Sequence, residues 1–255
     1  MTCVTELLRF RHVVYRNYRV WRKLLAASVV GNLLDPLFWL VGLGFGLGSL
    51  LPSVGGMRYL EFLGSGMICY GVMYSTSFEG LWSAFTRLKQ QRTWEGILHA
   101  PMTVTDIVVG EWVWAALKGV LSGVAILTVM AALGLVRTPM ALLALPVMLL
   151  TGLAFAGIAL VITALARTYD HFVYYFTLFI TPMMLVSGVF FPTAQLPRAV
   201  QLVAQVLPLS HATQLARGLV LGRPIHNAAG HVLALVLIAI VGVLLARWLT
   251  ARRLR

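Results

Sequence analysis

Long apolar runs separated by short polar segments dominate this chain. A run of about 20 residues is the length that an α-helix needs to cross about 30 Å of hydrocarbon. The runs that reach this length predict six membrane-spanning helices, at residues 25–50, 59–85, 104–133, 141–166, 172–191 and 232–248. The pattern therefore predicts an all-α integral membrane protein with a single transmembrane domain over residues 1–255.

The segment before the first run, residues 5–23, places apolar and basic side chains on opposite sides of a helix. Its apolar side holds Leu7, Phe10, Val14, Tyr18 and Trp21, and its basic side holds Arg9, His12, Arg16, Arg19 and Lys23. Such a helix lies in the membrane surface, and the regular spacing of the aromatic residues disfavours a disordered basic tail. Since no small-residue cleavage pattern follows, we expect the first run to be a retained anchor.

A polar island that begins at Arg87 separates the second and third runs. Residues 93–100 have helical spacing, and Pro101 ends the pattern. Trp94, Ile97 and Leu98 fall on one side of this short helix, and Arg92, Glu95 and His99 fall on the other. Thr103 and Asp106 match a capping box that would begin the next helix. The island predicts a helix, a break and a helix; the alternative is a solvated loop with an accidental pattern.

The segment 187–210 is too apolar for an exposed loop and too interrupted to span the membrane. Pro192, Pro197 and Pro208 divide it. Irregular backbone at membrane depth occurs only against protein or a cavity. We predict short helices that re-enter the outer half of the membrane, with an ordinary amphipathic loop outside the membrane as the alternative.

Composition and charge support the membrane assignment and add an orientation. The chain is 60% hydrophobic and 11% charged, with a mean hydropathy of +0.88, which excludes a soluble domain. Arginine and lysine concentrate before the first run, in the island and at the end of the chain, so the positive-inside rule places both termini and the island in the cytoplasm. The net charge of +12 then reflects topology and attraction to anionic lipid, and no nucleic-acid partner is expected.

Charged residues inside the runs need partners. A charge at the bilayer centre costs about 2.5–3.5 kcal/mol on insertion scales. We therefore expect Asp35 and Glu79 to face protein or water, and Lys118 is a candidate ion-pair partner for one of them. Whether these groups are structural or relay protons stays open at this stage.

No motif for catalysis or nucleotide binding is present. The sequence GLGFGLG, with Gly42, Gly44, Gly46 and Gly48, does not match a dinucleotide loop and predicts close helix packing. A phosphate-binding loop needs a lysine after a glycine, and none of the three lysines follows one. The histidines and cysteines form no metal-binding pattern. We expect no catalytic residue, no metal and no cofactor in this chain.

Three segments carry a resemblance to a known family. QRTWEGIL, TDIVVGEW and SGVFFP…LP…LPLSH resemble the membrane subunits of ABC type-2 exporters, most closely the permease of nodulation lipo-oligosaccharide exporters. The resemblance covers nearly the whole chain, and the island motif is its more specific part. It implies a bacterial inner-membrane protein in which two copies pair and each binds one ATPase subunit through a coupling helix at residues 93–100. ATP and Mg²⁺ would lie on those two partner ATPase subunits.

The resemblance implies export of a lipid-linked or amphipathic molecule, such as a lipo-oligosaccharide, a polysaccharide-lipid or a drug. The ATPase would contact Arg92, Trp94, Glu95, Ile97, Leu98 and His99. The substrate path, at the interface of two copies, would be flanked by Gly42, Gly44, Ser49, Pro182, Ser187, Gly188, Phe190 and Phe191. Two alternatives remain: an ion-coupled secondary transporter that uses Asp35, Glu61, Glu79 or Glu111, and a non-transporting scaffold or channel.

Overall fold

Helices account for most of the chain in the computed structural model, which describes residues 8–51 and 53–254 and their side chains except those of 27–29, 31–33, 35 and 36. The α-helices are α1 (Phe10–Lys23), α2 (Leu25–Leu50), α3 (Tyr59–Phe78), α4 (Thr93–Leu98), α5 (Val104–Ala132), α6 (Ala144–Leu165), α7 (Asp170–Tyr175), α8 (Thr181–Val186), α9 (Arg198–Val206), α10 (Pro208–Leu221) and α11 (Ala228–Arg253). A short antiparallel hairpin pairs β1 (Ser53–Val54) with β2 (Met57–Arg58) through a turn at Gly55 and Gly56.

Helix α3 lies at the centre of the bundle, in contact with α2, α5, α6 and α10. Its side chains are buried on all sides, which its near-continuous apolar and small residues allow. Helix α11 packs along α6 at a pair of glycines. A Cβ built on Gly157 would lie 3.0 Å from the Cα of Gly242. Small residues at such crossings let two helix backbones approach closely, as in other membrane bundles.

Among the described residues, three helices are long and apolar enough to cross a membrane: Val104–Ala132, Pro139–Leu165 and Ala228–Arg253. Two shorter apolar helices, Leu37–Leu50 and Asp170–Val186, accompany them. The helical, apolar architecture confirms the prediction of an all-α membrane protein. The count of six spans and the re-entrant placement of residues 187–210 stay predictions.

Helix ends differ from the predicted boundaries in places where the backbone departs from regular α-helix. The second run was expected to end at residue 85, but helix continues through π-helical turns over Glu79–Ser83 and Thr86–Gln90. The fifth run was expected to end at residue 191, whereas α8 stops at Val186 and a turn follows, with Gly188 at φ 76°. The predicted capping box is confirmed: the Asp106 N–H donates to the Thr103 hydroxyl, and Asp106 accepts from the Thr103 N–H.

The segment after α8 contains short helices, as predicted, but their limits differ. A 3-10 turn over Thr193–Gln195 precedes α9, and α10 begins at Pro208 and continues to Leu221, well beyond residue 210. Pro208 was interpreted as an interruption. Proline is favourable in the first turn of a helix because its missing N–H is not needed there, so it begins α10.

The apolar side predicted for α1 includes Tyr18, which is 41% exposed, and its placement in the membrane surface stays a prediction. Helix α1 packs on α5 through Val13 and Asn17, which are buried there. The reason lies on α5: a Cβ on Gly110 would be 2.5 Å from the Cβ of Val13, so the missing side chain makes room for Val13. Leu7 lies outside the described residues.

Candidate functional site

A network of buried charges joins α3 and its π-helical extension to α5. Arg87 Nη2 donates to Glu79 Oε1 at 2.9 Å, and Arg87 Nε donates to Glu111 Oε1 at 2.8 Å. Lys118 Nζ donates to Glu79 Oε2 at 2.9 Å, which confirms that Lys118 is the ion-pair partner of one intramembrane carboxylate. The second candidate, Asp35, belongs to the side chains that the structure does not describe.

The π-helical turns give this network its geometry. A π-helical turn changes the angle at which side chains leave the helix and frees backbone carbonyls. The Gly80 carbonyl accepts from Thr163 Oγ1 on α6 at 2.6 Å, and a Cβ on Gly80 would lie 2.7 Å from the Cβ of Ala159. These contacts with α6 fix the position of the π-helical turn. Arg87, eight residues after Glu79, then lies close enough to bind the Glu79 carboxylate.

Two indoles bind the carboxylates of the network. Trp114 Nε1 donates to Glu79 Oε1 at 3.0 Å, and Trp94 Nε1 donates to Glu111 Oε1 at 3.2 Å. Trp94 belongs to α4, the predicted coupling helix. A hydrogen bond therefore connects the short helix between the predicted spans to the buried charges.

Helix α4 has two different sides. Trp94 is 1% exposed and packs with Leu88, Ile107 and Val108 in an apolar cluster. Ile97 and Leu98 are half-buried and pack against the same cluster. On the other side, Arg92, Glu95 and His99 are exposed. The predicted docking residues are thus divided: Trp94, Ile97 and Leu98 contact the bundle, and Arg92, Glu95 and His99 are at the surface.

A cavity of about 590 Å³ lies beside the network, under α1. Arg16 and Asn17 of α1 line it together with Glu79, Arg87 and Lys118. Arg16 Nη1 donates to Asn17 Oδ1 at 3.0 Å, and Arg16 Nη2 donates to Thr93 Oγ1 at 3.4 Å, next to α4. Burial and, to a smaller extent, the positive charge of Arg87 lower the pKa of Arg16, while Glu111 opposes them.

The predicted path residues after α8 form a tightly held turn. Ser187, Gly188 and Phe190 are buried, whereas Phe191 is 42% exposed. The Ser187 carbonyl accepts from Thr213 Oγ1 at 3.0 Å. The ring of Phe190 lies 5.8 Å from that of Trp39 on α2, so this turn does meet the first predicted span.

The other predicted path residues do not gather at one place in the chain. Gly44 packs against α3, where its Cβ would be 2.3 Å from Leu60 Cδ1. Gly42 has open space beside it, and Ser49 and Pro182 are exposed. Any path that Gly42, Ser49 and Pro182 flank would have to lie outside the single chain.

Sequence reasoning did not assign Arg217 a role. This arginine of α10 donates to Ser65 Oγ at 3.1 Å and to the carbonyls of Phe62 at 3.1 Å and Gly188 at 2.8 Å. Its guanidinium also lies 3.8 Å from the centre of the Phe62 ring. Arg217 therefore joins α3, α10 and the turn after α8. An arginine between apolar residues of α10 was the available signal.

Comparison with known proteins gives this architecture a family. The ABC-2 type transporter family matches residues 9–221. The chain belongs to this family. The charged network, helix α4 and the cavity all fall within residues 9–221, the part of the chain that the ABC-2 family covers.

This ABC-2 chain is similar to several nodulation proteins over most of its length. Nodulation protein J of Rhizobium meliloti (strain 1021) is 46% identical over 239 residues, which are 94% of this chain and 91% of that protein. Nodulation protein J of Bradyrhizobium diazoefficiens is 48% identical over the same shares of the two chains. The inner membrane transport permease YadH of Escherichia coli (strain K12) is 23% identical over 196 residues, 77% of this chain and 75% of that protein. The resemblance to ABC type-2 permeases is confirmed.

Proposed function

We propose that this chain is the membrane subunit of an ATP-driven exporter that moves an amphipathic molecule out of the cytoplasm or the inner leaflet. Two copies would pair, and each would bind an ABC ATPase that carries ATP and Mg²⁺. The observation that carries the coupling part of this proposal is the hydrogen bond from Trp94 of α4 to Glu111 of the buried network.

The surface of α4 suits a partner groove. Short helices dock with apolar anchors and use charges at the rim to set register. The uncovered parts of the half-buried Ile97 and Leu98 supply the apolar contact, and the exposed Arg92, Glu95 and His99 supply the rim. The exposed side of α4 binds the ATPase, and the buried side holds the membrane bundle.

Movement of α4 would be transmitted to α5 and to the π-helical extension of α3 at the same time. Trp94 binds Glu111 on α5, and Arg87 binds both Glu111 and Glu79. Coupling between distant sites travels through such packed and hydrogen-bonded contacts when the elements have two discrete arrangements. A shift of α4 driven by the ATPase therefore changes contacts of α5 and of the α3 extension together.

The described carboxylates do not favour an ion-coupled transporter. Glu79 is bound by Arg87, Lys118 and Trp114, and Glu111 is bound by Arg87 and Trp94. Glu61 is paired with Arg137. Each of these three carboxylates already accepts from a cation of this chain, which favours a structural role over that of an exchangeable ion site.

An amphipathic cargo is supported by similarity and by an apolar groove. Similarity to Nodulation protein J, together with the resemblance to nodulation lipo-oligosaccharide exporters, favours a lipo-oligosaccharide or a related lipid-linked molecule. The groove, about 440 Å³, runs between α8 and α9 and includes Phe179, Pro182 and Val203. Its apolar walls suit an acyl chain, which gains about 0.8 kcal/mol per buried methylene. A hydrophobic drug is the second candidate.

The test is ATP-dependent movement of lipid-linked oligosaccharides in vesicles that contain the permease and its ATPase. The double variant Arg92→Glu, Glu95→Lys should weaken ATPase association and transport while inserting normally, because it reverses two exposed charges of α4 and leaves the residues that pack on the bundle unchanged. A complex with a non-hydrolysing ATPase is the control for ATP dependence. Transport that a proton gradient drives without ATP would overturn the proposal.

A further inference from the structure

The cavity under α1 has the features of a ligand-binding site. Neither the coupling proposed for α4 nor the cargo binding proposed for the groove between α8 and α9 assigns it a role. Helix α1 forms one wall, and the α3 extension and α5 form the others. Its volume of about 590 Å³ lies within the range of ligand-binding pockets. A polar end and apolar walls distinguish it from an ordinary packing defect.

The polar end carries an excess positive charge. The two carboxylates of the network, Glu79 and Glu111, are held by Arg87 and Lys118. No carboxylate of the described residues pairs with Arg16. Its side chain donates hydrogen bonds to the neutral oxygens of Asn17 and Thr93. An arginine remains protonated in proteins, so its charge is left for another anion.

Asn17 supplies an independent observation at the same end. This residue is 3% exposed and lines the cavity. Its Oδ1 accepts from Arg16, whereas its Nδ2 has no hydrogen-bond partner in the described part of the chain. A buried donor without an acceptor is unfavourable. A ligand oxygen beside Arg16 would satisfy it.

The remaining walls are aromatic and apolar. Trp21 lies edge-on to Trp114 at 6.0 Å between ring centroids, and Phe78 stacks on Trp82 at 4.9 Å. Leu24, at the end of α1, is 62% exposed and belongs to the lining. A molecule that fits both parts has an anionic head and an apolar body. The amphipathic α1 places this opening at the depth of the lipid headgroups.

We propose that the cavity binds the anionic head of a membrane amphiphile from the cytoplasmic leaflet. Arg16 pairs with an anionic oxygen, Asn17 Nδ2 donates to a second oxygen, and the apolar body leaves past Leu24 into the lipid. A resident phospholipid and an anionic cargo share this chemistry. The inference depends on the membrane location of α1 and not on export.

The experiment uses a photoactivatable phosphatidylglycerol in phosphatidylcholine vesicles that contain the permease with its ATPase. Labelling should map to α1 and to the α3 extension. Arg16→Gln should raise the probe concentration needed for half-maximal labelling about tenfold, because a charge-assisted hydrogen bond is lost. Arg16→Lys should retain part of the affinity. Asn17→Asp, nearly unchanged in shape, should weaken labelling at least as much, since it gives Arg16 an internal carboxylate.

Arg19→Gln is the matched control. Arg19 is exposed on the same helix, over the Tyr15 ring, and its replacement removes the same charge without touching the cavity. Equal weakening by Arg19→Gln and Arg16→Gln would overturn the proposal in favour of general surface attraction. So would normal labelling of Asn17→Asp, equal labelling by a phosphatidylcholine probe, or full competition by inorganic phosphate at equal concentration.

A final experiment distinguishes a cargo molecule from a resident lipid as the occupant of the cavity. The pre-bound probe is incubated with ATP before illumination. Loss of labelling on ATP addition identifies the site as an entry site for cargo, and persistent labelling identifies a resident lipid. Both results support the site, and the ATP dependence separates its role from the export proposal.

Discussion

Trp94 is the residue at which the surface helix α4 meets the buried network. Its ring is packed in an apolar cluster, and its indole N–H binds a carboxylate that two guanidinium nitrogens also bind. Packing and hydrogen bonding therefore have separable roles at this position.

Trp94→Phe should separate these two roles. Phenylalanine keeps most of the apolar contact and removes the donor, and a hydrogen bond to a charged group is worth about 1.5–3 kcal/mol. We expect a small loss of thermal stability and fewer molecules transported per ATP hydrolysed. Trp248→Phe, at a position that is 48% exposed, is the control. An unchanged transport-to-hydrolysis ratio in Trp94→Phe would show that this bond has no part in coupling.

Glu79 and Lys118 form the part of the network that a double-mutant cycle can isolate. Removing one partner of a buried pair costs about 3–5 kcal/mol because a charge stays uncompensated. Glu79→Gln and Lys118→Met should each lower the melting temperature strongly. The double variant leaves the Arg87–Glu111 pair balanced, so its cost should be smaller than the sum of the two. Additive losses in detergent melting curves would argue against a direct pair.

Some of this network follows from the sequence, and some does not. The cost of intramembrane charge is enough to predict Lys118 as a partner of Asp35 or Glu79, without deciding between them. Arg87 was assigned to the polar island because nothing in the residue pattern marks the π-helical turns that carry it back to Glu79. The burial of Trp94 was also missed, since a helix of six residues shows an apolar side but not whether the bundle or a partner covers it.

At the scale of elements, helix existence was more predictable than helix ends. Apolar length and the Thr103–Asp106 cap are local signals, and both correspond to the structure. The start of α10 at Pro208 is a local signal too, because proline suits the first turn of a helix, but the proline was interpreted as an interruption. The side of α1 that faces the bundle, by contrast, depends on Gly110 of another helix.

The contact between α6 and α11 gives an element-scale prediction. Alanine favours helix over glycine by about 1 kcal/mol when space is open. At Gly157 the new Cβ would meet backbone at 3.0 Å, and overpacking costs about 1–3 kcal/mol. Gly157→Ala should lower the melting temperature, whereas Gly46→Ala, with nothing within 4 Å, should not. Equal melting temperatures of the two variants would contradict a tight crossing.

At the scale of the whole molecule, polar contacts gather at opposite ends of the bundle. One end holds the ionic network and Arg253, which donates to the Thr163 carbonyl at 2.8 Å. The other holds the Glu61–Arg137 pair and Arg223, which donates to the Gly56 carbonyl at 2.7 Å. Which of these two ends faces the cytoplasm stays a prediction of the positive-inside rule.

Cysteine labelling in intact cells tests that orientation. Ser53 and His99 are both exposed, one in the β-hairpin and the other beside α4. A membrane-impermeant thiol reagent should label Ser53→Cys and should label His99→Cys only after the cells are opened. The background carries Cys3→Ser, and Cys69 is buried. Labelling of His99→Cys in intact cells would place α4 outside and remove the ATPase from its reach.

The last prediction at this scale concerns the surface through which two copies would pair, as the proposed function requires. Gly46 has no neighbour within 4 Å, and Leu178 is 70% exposed on the helical segment that leads to α8. The contact between Phe190 and Trp39 brings the turn that follows α8 to the side of α2, and we infer that α8 and the segment before it lie on the same flank of the chain. A two-fold axis beside this flank would place α2 of one copy against the α8 segment of the other, which would cover both.

Oxidation of a Gly46→Cys, Leu178→Cys variant should therefore give a covalent dimer in the membrane. Leu237→Cys is a suitable control, since Leu237 is 53% exposed on α11, which packs along α6 and not beside this flank. The cross-link should form between one Gly46→Cys chain and one Leu178→Cys chain when the two single variants are expressed together under separable tags. A dimer that forms equally through Leu237→Cys would reflect random collision. Absence of any cross-link between the mixed chains, with both cysteines reactive towards a small thiol reagent, would exclude this flank as the interface and with it a substrate path beside Gly42, Ser49 and Pro182.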